Sequence, residues 1–159
     1  MEDRDTYGKA FLQIMNLWCD GESFKRFVMA KRFAGIAARL LGVPRVRLYH
    51  DQALFKEAGG GATPWHQDQH YWPLDTDNTV TMWIPLVDVN ESMGTMSFAS
   101  GSQTAGYLGD LPISDESDRQ FTQFISEKGF SIRNHGAMKA GDATFHSGWV
   151  FHSAPGNES

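Results

Sequence analysis

Pro64-Trp65-His66-Gln67-Asp68 sets an imidazole and a carboxylate two positions apart. On a strand, residues i and i+2 point to the same face, so His66 and Asp68 can grip one ion together. The surrounding sequence supports a strand. From Pro44 onward apolar residues alternate, which predicts strands at Val46 to Lys56, Trp65 to His70, Thr79 to Val87, Thr95 to Ala99, Phe130 to His135, Asp142 to Phe145 and Val150 to His152. Gly, Pro, Asn, Asp and Ser clusters separate them, and Gly59-Gly60-Gly61 reads as a flexible connector.

Upstream the period is helical. Tyr7, Ala10, Phe11, Ile14, Met15 and Trp18 recur at three- and four-residue steps, predicting a helix from Thr6 to Trp18 that Asp20-Gly21 stops. A second helical pattern runs from Ser23 through Phe33, Ile36, Leu40 and Leu41 to Gly42 and Pro44, a glycine-then-proline stop. One later helix is predicted at Asp115 to Glu127, although the acidic run Asp115-Glu116-Ser117-Asp118 reads as solvated. Helices first and short strands afterwards favour an antiparallel sandwich, jelly roll or barrel flanked by helices over a doubly wound α/β sheet.

The chain has 159 residues, 41% of them hydrophobic, enough for one domain with a core of its own. Its formal net charge of -5 offers no basic face for a phosphate backbone, so nucleic acid is not expected as a partner. No apolar run approaches the roughly 18 residues of a membrane-spanning helix, and the N-terminus lacks a signal-peptide pattern, so no membrane partner and a cytoplasmic location are expected. The single cysteine, Cys19, reads as a buried small hydrophobe and cannot build a thiolate cluster. Any metal must therefore be held by histidine and carboxylate. Gly141 to His152 offers two candidates for a third donor, His146 and His152. Two histidines and one carboxylate on one face, with open positions opposite, is the arrangement used by non-haem Fe(II) oxygenases.

Three blocks carry a resemblance to a known family. Phe55-Lys56 leads through the glycine-rich stretch to Pro64-Trp65-His66-Gln67-Asp68. Thr81-Met82-Trp83-Ile84-Pro85-Leu86 leads into Gly94 to Ser102. Gly141 to His146 is followed by His152-Ser153-Ala154-Pro155-Gly156-Asn157. In order and spacing they resemble the phytanoyl-CoA dioxygenase family of Fe(II)- and 2-oxoglutarate-dependent oxygenases. Ser100-Gly101-Ser102-Gln103 departs from the proline-glycine-serine-histidine phrase usual in that family.

The resemblance implies a mainly β double-stranded β-helix, cupin-like, with N-terminal helices packed on it. It makes 1–159 a single oxygenase-like domain, with 1–43 a helical flank and 45–159 the β core. His66, Asp68 and His152 become the Fe(II) ligands and catalytic centre, while His146 becomes a pocket-wall or surface histidine. Lys56 and Trp83 would bind 2-oxoglutarate. The activity implied is hydroxylation of a small organic substrate with O2, yielding succinate and carbon dioxide. If Val46 to Lys56 is one strand, His50, Gln52, Leu54 and Lys56 share a face, lining either a wet cavity or a solvent-facing edge. Substrate contacts are expected from His70 to Asn78 and Gly101 to Ser117. The arginine with which the family clamps 2-oxoglutarate falls beyond Ser159. The expectation is a chain cut short of its last strands, with Arg133 or a partner chain as other sources of the clamp. A metal-binding jelly roll without turnover is the alternative, and a cupin-like isomerase or hydrolase a third reading.

Overall fold

In the computed structural model, residues 6–110 and 112–159 are described. The N-terminal motif at 1–5 lies outside them. The chain divides into two compact units: Leu12–Phe55 forms one, and the flanking chain, through Phe11 and from Lys56 to Ser159, forms the other.

In the smaller unit, the predicted helix Thr6 to Trp18 is corrected. Only α1 (Thr6–Ala10), which belongs to the larger unit, is α-helical, whereas Leu12–Met15 is a strand, β1. It pairs antiparallel with β2 (Gln52–Phe55), from Leu12 opposite Phe55 to Met15 opposite Gln52. An isolated helix of this length is marginal, and a four-residue ladder with a distant segment overrides its period. Val46 to Lys56 accordingly contracts to β2. Gln52 is exposed, accepts from Gln13 Nε2 at 2.8 Å and lies 2.8 Å from His50 Nε2, so this face meets solvent. The second predicted helix is two, α2 (Glu22–Val28) and α3 (Lys31–Leu41), and α3 stops at Gly42 as the sequence indicates. Cys19 is exposed rather than buried, because it sits in the short 3-10 turn Leu17–Cys19, which buries none of its residues.

The larger unit carries the remaining strands: β3 (Thr63–His66), β4 (Val80–Trp83), β5 (Ser97–Ser100), β6 (Ser131–Asn134), β7 (Thr144–Ser147) and β8 (His152–Ala154). They form a four-stranded sheet in the order β3-β8-β5-β6 and a two-stranded sheet β4-β7, with every pair antiparallel. This is a double-stranded β-helix, or jelly roll, whose sheets are not fully closed.

One face of the four-stranded sheet is covered by α4 (Asp115–Lys128). Ala99, Phe121, Ile125 and Phe151 form the core between them, with Trp65, Phe124 and Phe130 packed around it. The Phe121 and Phe151 rings lie 4.7 Å apart. The acidic run is the first turn of α4. Ser114 caps it by accepting from the Ser117 N–H, its carboxylates suit the positive end of the helix, and Asp118 accepts from Trp65 N at 2.8 Å.

The glycines 59–61 are pinned. A Cβ on Gly60 would stand 2.9 Å from the Glu57 carbonyl oxygen, and Gly60 O accepts from Asn157 N at 2.8 Å. Glycine is needed there for close backbone approach, not for mobility. Among the described residues, no helix is long and apolar enough to cross a membrane.

Candidate metal centre

Strand pairing supplies the first two groups. His66 ends β3, His152 begins β8, and the two are register partners whose rings lie 4.2 Å apart. The strand predicted through His70 ends at His66, but Gln67 is still extended before the chain turns into the 3-10 helix Asp68–Tyr71. The i, i+2 relation therefore survives one residue beyond the ladder. His66, Asp68 and His152 each offer one ligand-type atom, and these atoms lie within 4.8 Å of one another. Asp68 Oδ1 is 3.8 Å from His66 Nε2 and 3.6 Å from His152 Nε2.

Hydrogen bonds set the state of both imidazoles. His66 Nδ1 lies 2.8 Å from the Pro64 carbonyl oxygen and His152 Nδ1 lies 3.1 Å from that of Val150. A carbonyl oxygen only accepts, so each Nδ1 carries a proton and each Nε2 presents its lone pair toward Asp68. Burial, with the neighbouring charge of His152, holds the His66 imidazole down to about 4, against the opposing pull of Asp68 and the Pro64 bond. Burial also lowers His152. Burial would by itself raise the Asp68 carboxyl, but electrostatic coupling to His152, the bond to His146 and coupling to His66 and His146 hold it well below the usual carboxylate range. The set is thus one carboxylate and two neutral imidazoles facing a common point. That donor chemistry fits Fe(II) or another divalent transition metal.

Around this set, Gln67, Thr81 and Phe98 were not legible as functional in the sequence, whereas His146 was read as a pocket-wall or surface histidine. Gln67, between the two, points to the opposite face, is 4% exposed, and donates through Nε2 to the carbonyls of Gly106 at 3.1 Å and Trp149 at 2.7 Å. Strand parity was the available signal: the middle residue of His-x-Asp must face the core and satisfy its amide there. Thr81 and His146 are register partners in β4 and β7. Thr81 Oγ1 donates to Asp68 Oδ2 at 2.6 Å, and His146 Nε2 lies 3.3 Å from the same oxygen. His146 is a buried wall of the site. Phe98 supplies an apolar wall, its ring 5.2 Å from His146 and 6.1 Å from His152.

The segment beyond Asp68 is tied back to the turn between β7 and β8. Gln69 N donates to Gly148 O at 2.9 Å, and a Cβ on Gly148 would overlap the side chains of Thr79 and Gln69. His70 stacks on Tyr107 at 5.8 Å, and Tyr107 meets the Trp149 ring edge-on at 6.4 Å. Burial raises the Tyr71 phenol, the Asp68 charge adds to this, and a backbone bond at Ile113 opposes it.

Lys56 Nζ donates to the Pro155 carbonyl at 2.6 Å, just past β8, and burial lowers its ammonium to about 8. Trp83 shares the inward face of β4 with Thr81, and its ring stacks on His135 at 5.4 Å. Arg133 lies opposite Phe98 in the β5–β6 ladder and is exposed.

This fold and donor set are those of an oxygenase-type jelly roll. Residues 8–159 match the phytanoyl-CoA dioxygenase (PhyH) family, and the chain belongs to it. It is 36% identical over 90 residues to the L-proline trans-4-hydroxylase of Streptomyces griseoviridis, covering 54% of this chain and 33% of that protein. Among solved structures it is similar to the non-heme alpha ketoglutarate dependent carbocyclase SnoK from nogalamycin biosynthesis, at a TM-score of 0.79 and 27% identity, covering 99% of this chain and 64% of that one. The epimerase SnoN of the same biosynthesis matches at a TM-score of 0.77 and 27% identity, covering 94% of this chain and 58% of that one. The chain thus spans a third of the hydroxylase's length and under two-thirds of the carbocyclase's.

Proposed function

We propose that His66, Asp68 and His152 hold Fe(II), and that the chain serves an Fe(II)- and 2-oxoglutarate-dependent dioxygenase that hydroxylates a small organic substrate. The observation that carries this reading is the convergence of two imidazole Nε2 atoms and one carboxylate oxygen within 4.8 Å, with both imidazoles locked in the ligand tautomer. When bound, iron and 2-oxoglutarate supply the oxidising chemistry: O2 is consumed, 2-oxoglutarate is converted to succinate and carbon dioxide, and a C–H bond is hydroxylated. The chain's own residues hold, orient and shield. The backbone carbonyls of Pro64 and Val150 orient the rings. Phe98 keeps one side of the ligand set apolar.

Lys56 and Trp83 serve 2-oxoglutarate in this reading. Support comes from the ammonium's position beside the strand that carries His152 and from the face Trp83 shares with Thr81. The aromatic rim of His70, Tyr71, Tyr107 and Trp149 serves the substrate. A single oxygenase-like domain, with 1–43 its helical flank and 45–159 its β core, is supported by a family match that runs through both compact units. A cytoplasmic setting is supported by the lone cysteine.

The test is an anaerobic absorption titration with Fe(II) and then 2-oxoglutarate. A charge-transfer band that needs both additions, and that is lost in Asp68→Ala, is the expected result. Fe(II) binding with no band would instead favour a metal-binding domain without turnover.

A further inference from the structure

The two oxygens of Asp68 have separate surroundings. Oδ1 faces His66 Nε2 at 3.8 Å and His152 Nε2 at 3.6 Å. Oδ2 faces away, accepts from the Thr81 hydroxyl at 2.6 Å and lies 3.3 Å from His146 Nε2. Thr81 and His146 stand directly opposite each other in the β4–β7 ladder, whereas the two imidazoles beside Oδ1 come from the other sheet. We propose that Thr81 and His146 are positioning residues that hold Asp68 as a one-oxygen ligand, leaving Oδ1 alone for the metal. The inference rests on the metal-site reading above.

The physical case is one of competition for lone pairs. A free carboxylate can close on a metal through both oxygens, and that second bond would occupy a position that a cosubstrate or O2 needs. Here the hydroxyl of Thr81 donates to Oδ2, and because a carboxylate oxygen only accepts, His146 Nε2 at 3.3 Å meets it as an N–H donor; bonds to a charged acceptor are the stronger kind. Turning the carboxylate to offer Oδ2 would break both in a largely buried setting, where unmade bonds are costly. The histidine is built in as well as bonded. It is 9% exposed, and its ring lies 4.6 Å from His152 and 5.2 Å from Phe98. The Thr81 bond is the shorter, and His146 adds a second contact to the same oxygen.

The test uses Co(II), whose visible absorption reports both binding and coordination number. The proteins are the wild type, Asp68→Ala, Thr81→Val, His146→Leu and His146→Gln. Thr81→Val keeps the shape and loses the hydroxyl, and His146→Gln keeps a donor at similar reach. Thr81→Val and His146→Leu are each expected to weaken Co(II) affinity about 10- to 100-fold, the range for removing a hydrogen bond to a metal ligand. At saturating Co(II) their spectra should also shift, since the carboxylate is then free to bind through both oxygens. His146→Gln should recover most of the affinity and the wild-type spectrum, which a role in packing alone would not produce. Wild-type affinity and spectrum in both Thr81→Val and His146→Leu, with binding abolished in Asp68→Ala, would overturn the positioning role and leave the metal site standing. No Co(II) binding by the wild type, or unchanged binding in Asp68→Ala, would overturn both. If His146→Leu fails to fold, Thr81→Val decides.

Discussion

Phe151 and His152 are neighbours in the chain with opposite surroundings. Phe151 is 0% exposed and packs against Phe121 of α4, while His152 faces His66, Asp68 and Phe98. The same division runs across the sheet. Trp65 faces α4 and His66 faces the candidate site, and Ala99 lies in the core beside Phe98 on the other face. One face is held by apolar contact, while the other is held by a few directed polar contacts around a point. Strand alternation thus separates what stabilises the fold from what carries the chemistry, within single dipeptides.

Substitutions on the two faces should therefore fail differently. The largest loss of stability is expected for Phe151→Ala, at about 3–5 kcal/mol, because it opens a cavity under α4; urea unfolding measures it. Asp68→Ala is the converse case. It should abolish metal binding and, because Thr81 and His146 lose the oxygen they meet, lower the metal-free protein's unfolding midpoint by less than Phe151→Ala does; an equal or larger drop would show that the ligand face bears the structural load.

Between about pH 6.5 and 4, acid should act on the ligand face through its imidazoles. The His66 imidazole is held down to about 4 and His152 is lowered too, whereas unfolded imidazoles titrate near 6.5. Between those values the unfolded chain binds more protons, so metal-free stability is complete above about pH 6.5 and falls as pH drops toward 4. Urea melts across that window should show this slope. Phe151→Leu should lower the whole curve without changing the slope, and His66→Gln should flatten it.

Smaller effects come from the ends of the two faces. Gly148→Ala should cost about 1–3 kcal/mol, since the new methyl group overlaps Thr79 and Gln69, and it should also weaken metal binding by moving the turn that anchors Gln69 next to Asp68. Ser114→Ala removes the cap of α4 and should cost about 1 kcal/mol with metal affinity unchanged. A fall in affinity there would mean that the two faces are coupled.

A helix-flanked antiparallel β fold was legible because alternating strands broken by glycine, proline and asparagine follow from local chemistry, and the resemblance narrowed sandwich, jelly roll or barrel to the double-stranded β-helix. His66, Asp68 and His152 were legible for a related reason: parity puts the first two on one face, and the resemblance chose the third. What misled was Leu12–Met15, where a helical spacing of apolar residues gave way to pairing with Gln52–Phe55, a partner no local window contains. Glycines 59–61 were read as mobile for want of the Asn157 backbone that meets Gly60.

The amino-acid sequence by itself determined the run of short strands after Pro44, the helix at Asp115–Lys128, the stop at Gly42, and the face on which His66 and Asp68 lie, because these depend on the period of the backbone and on residues close together in the chain. Only the tertiary structure decided that His152 is the register partner of His66, that Thr81 and His146 meet on one oxygen of Asp68, and that Gln67 is spent on Gly106 and Trp149. Those relations join residues far apart in sequence, and their geometry is set by ladder register and sheet packing, which no periodicity encodes.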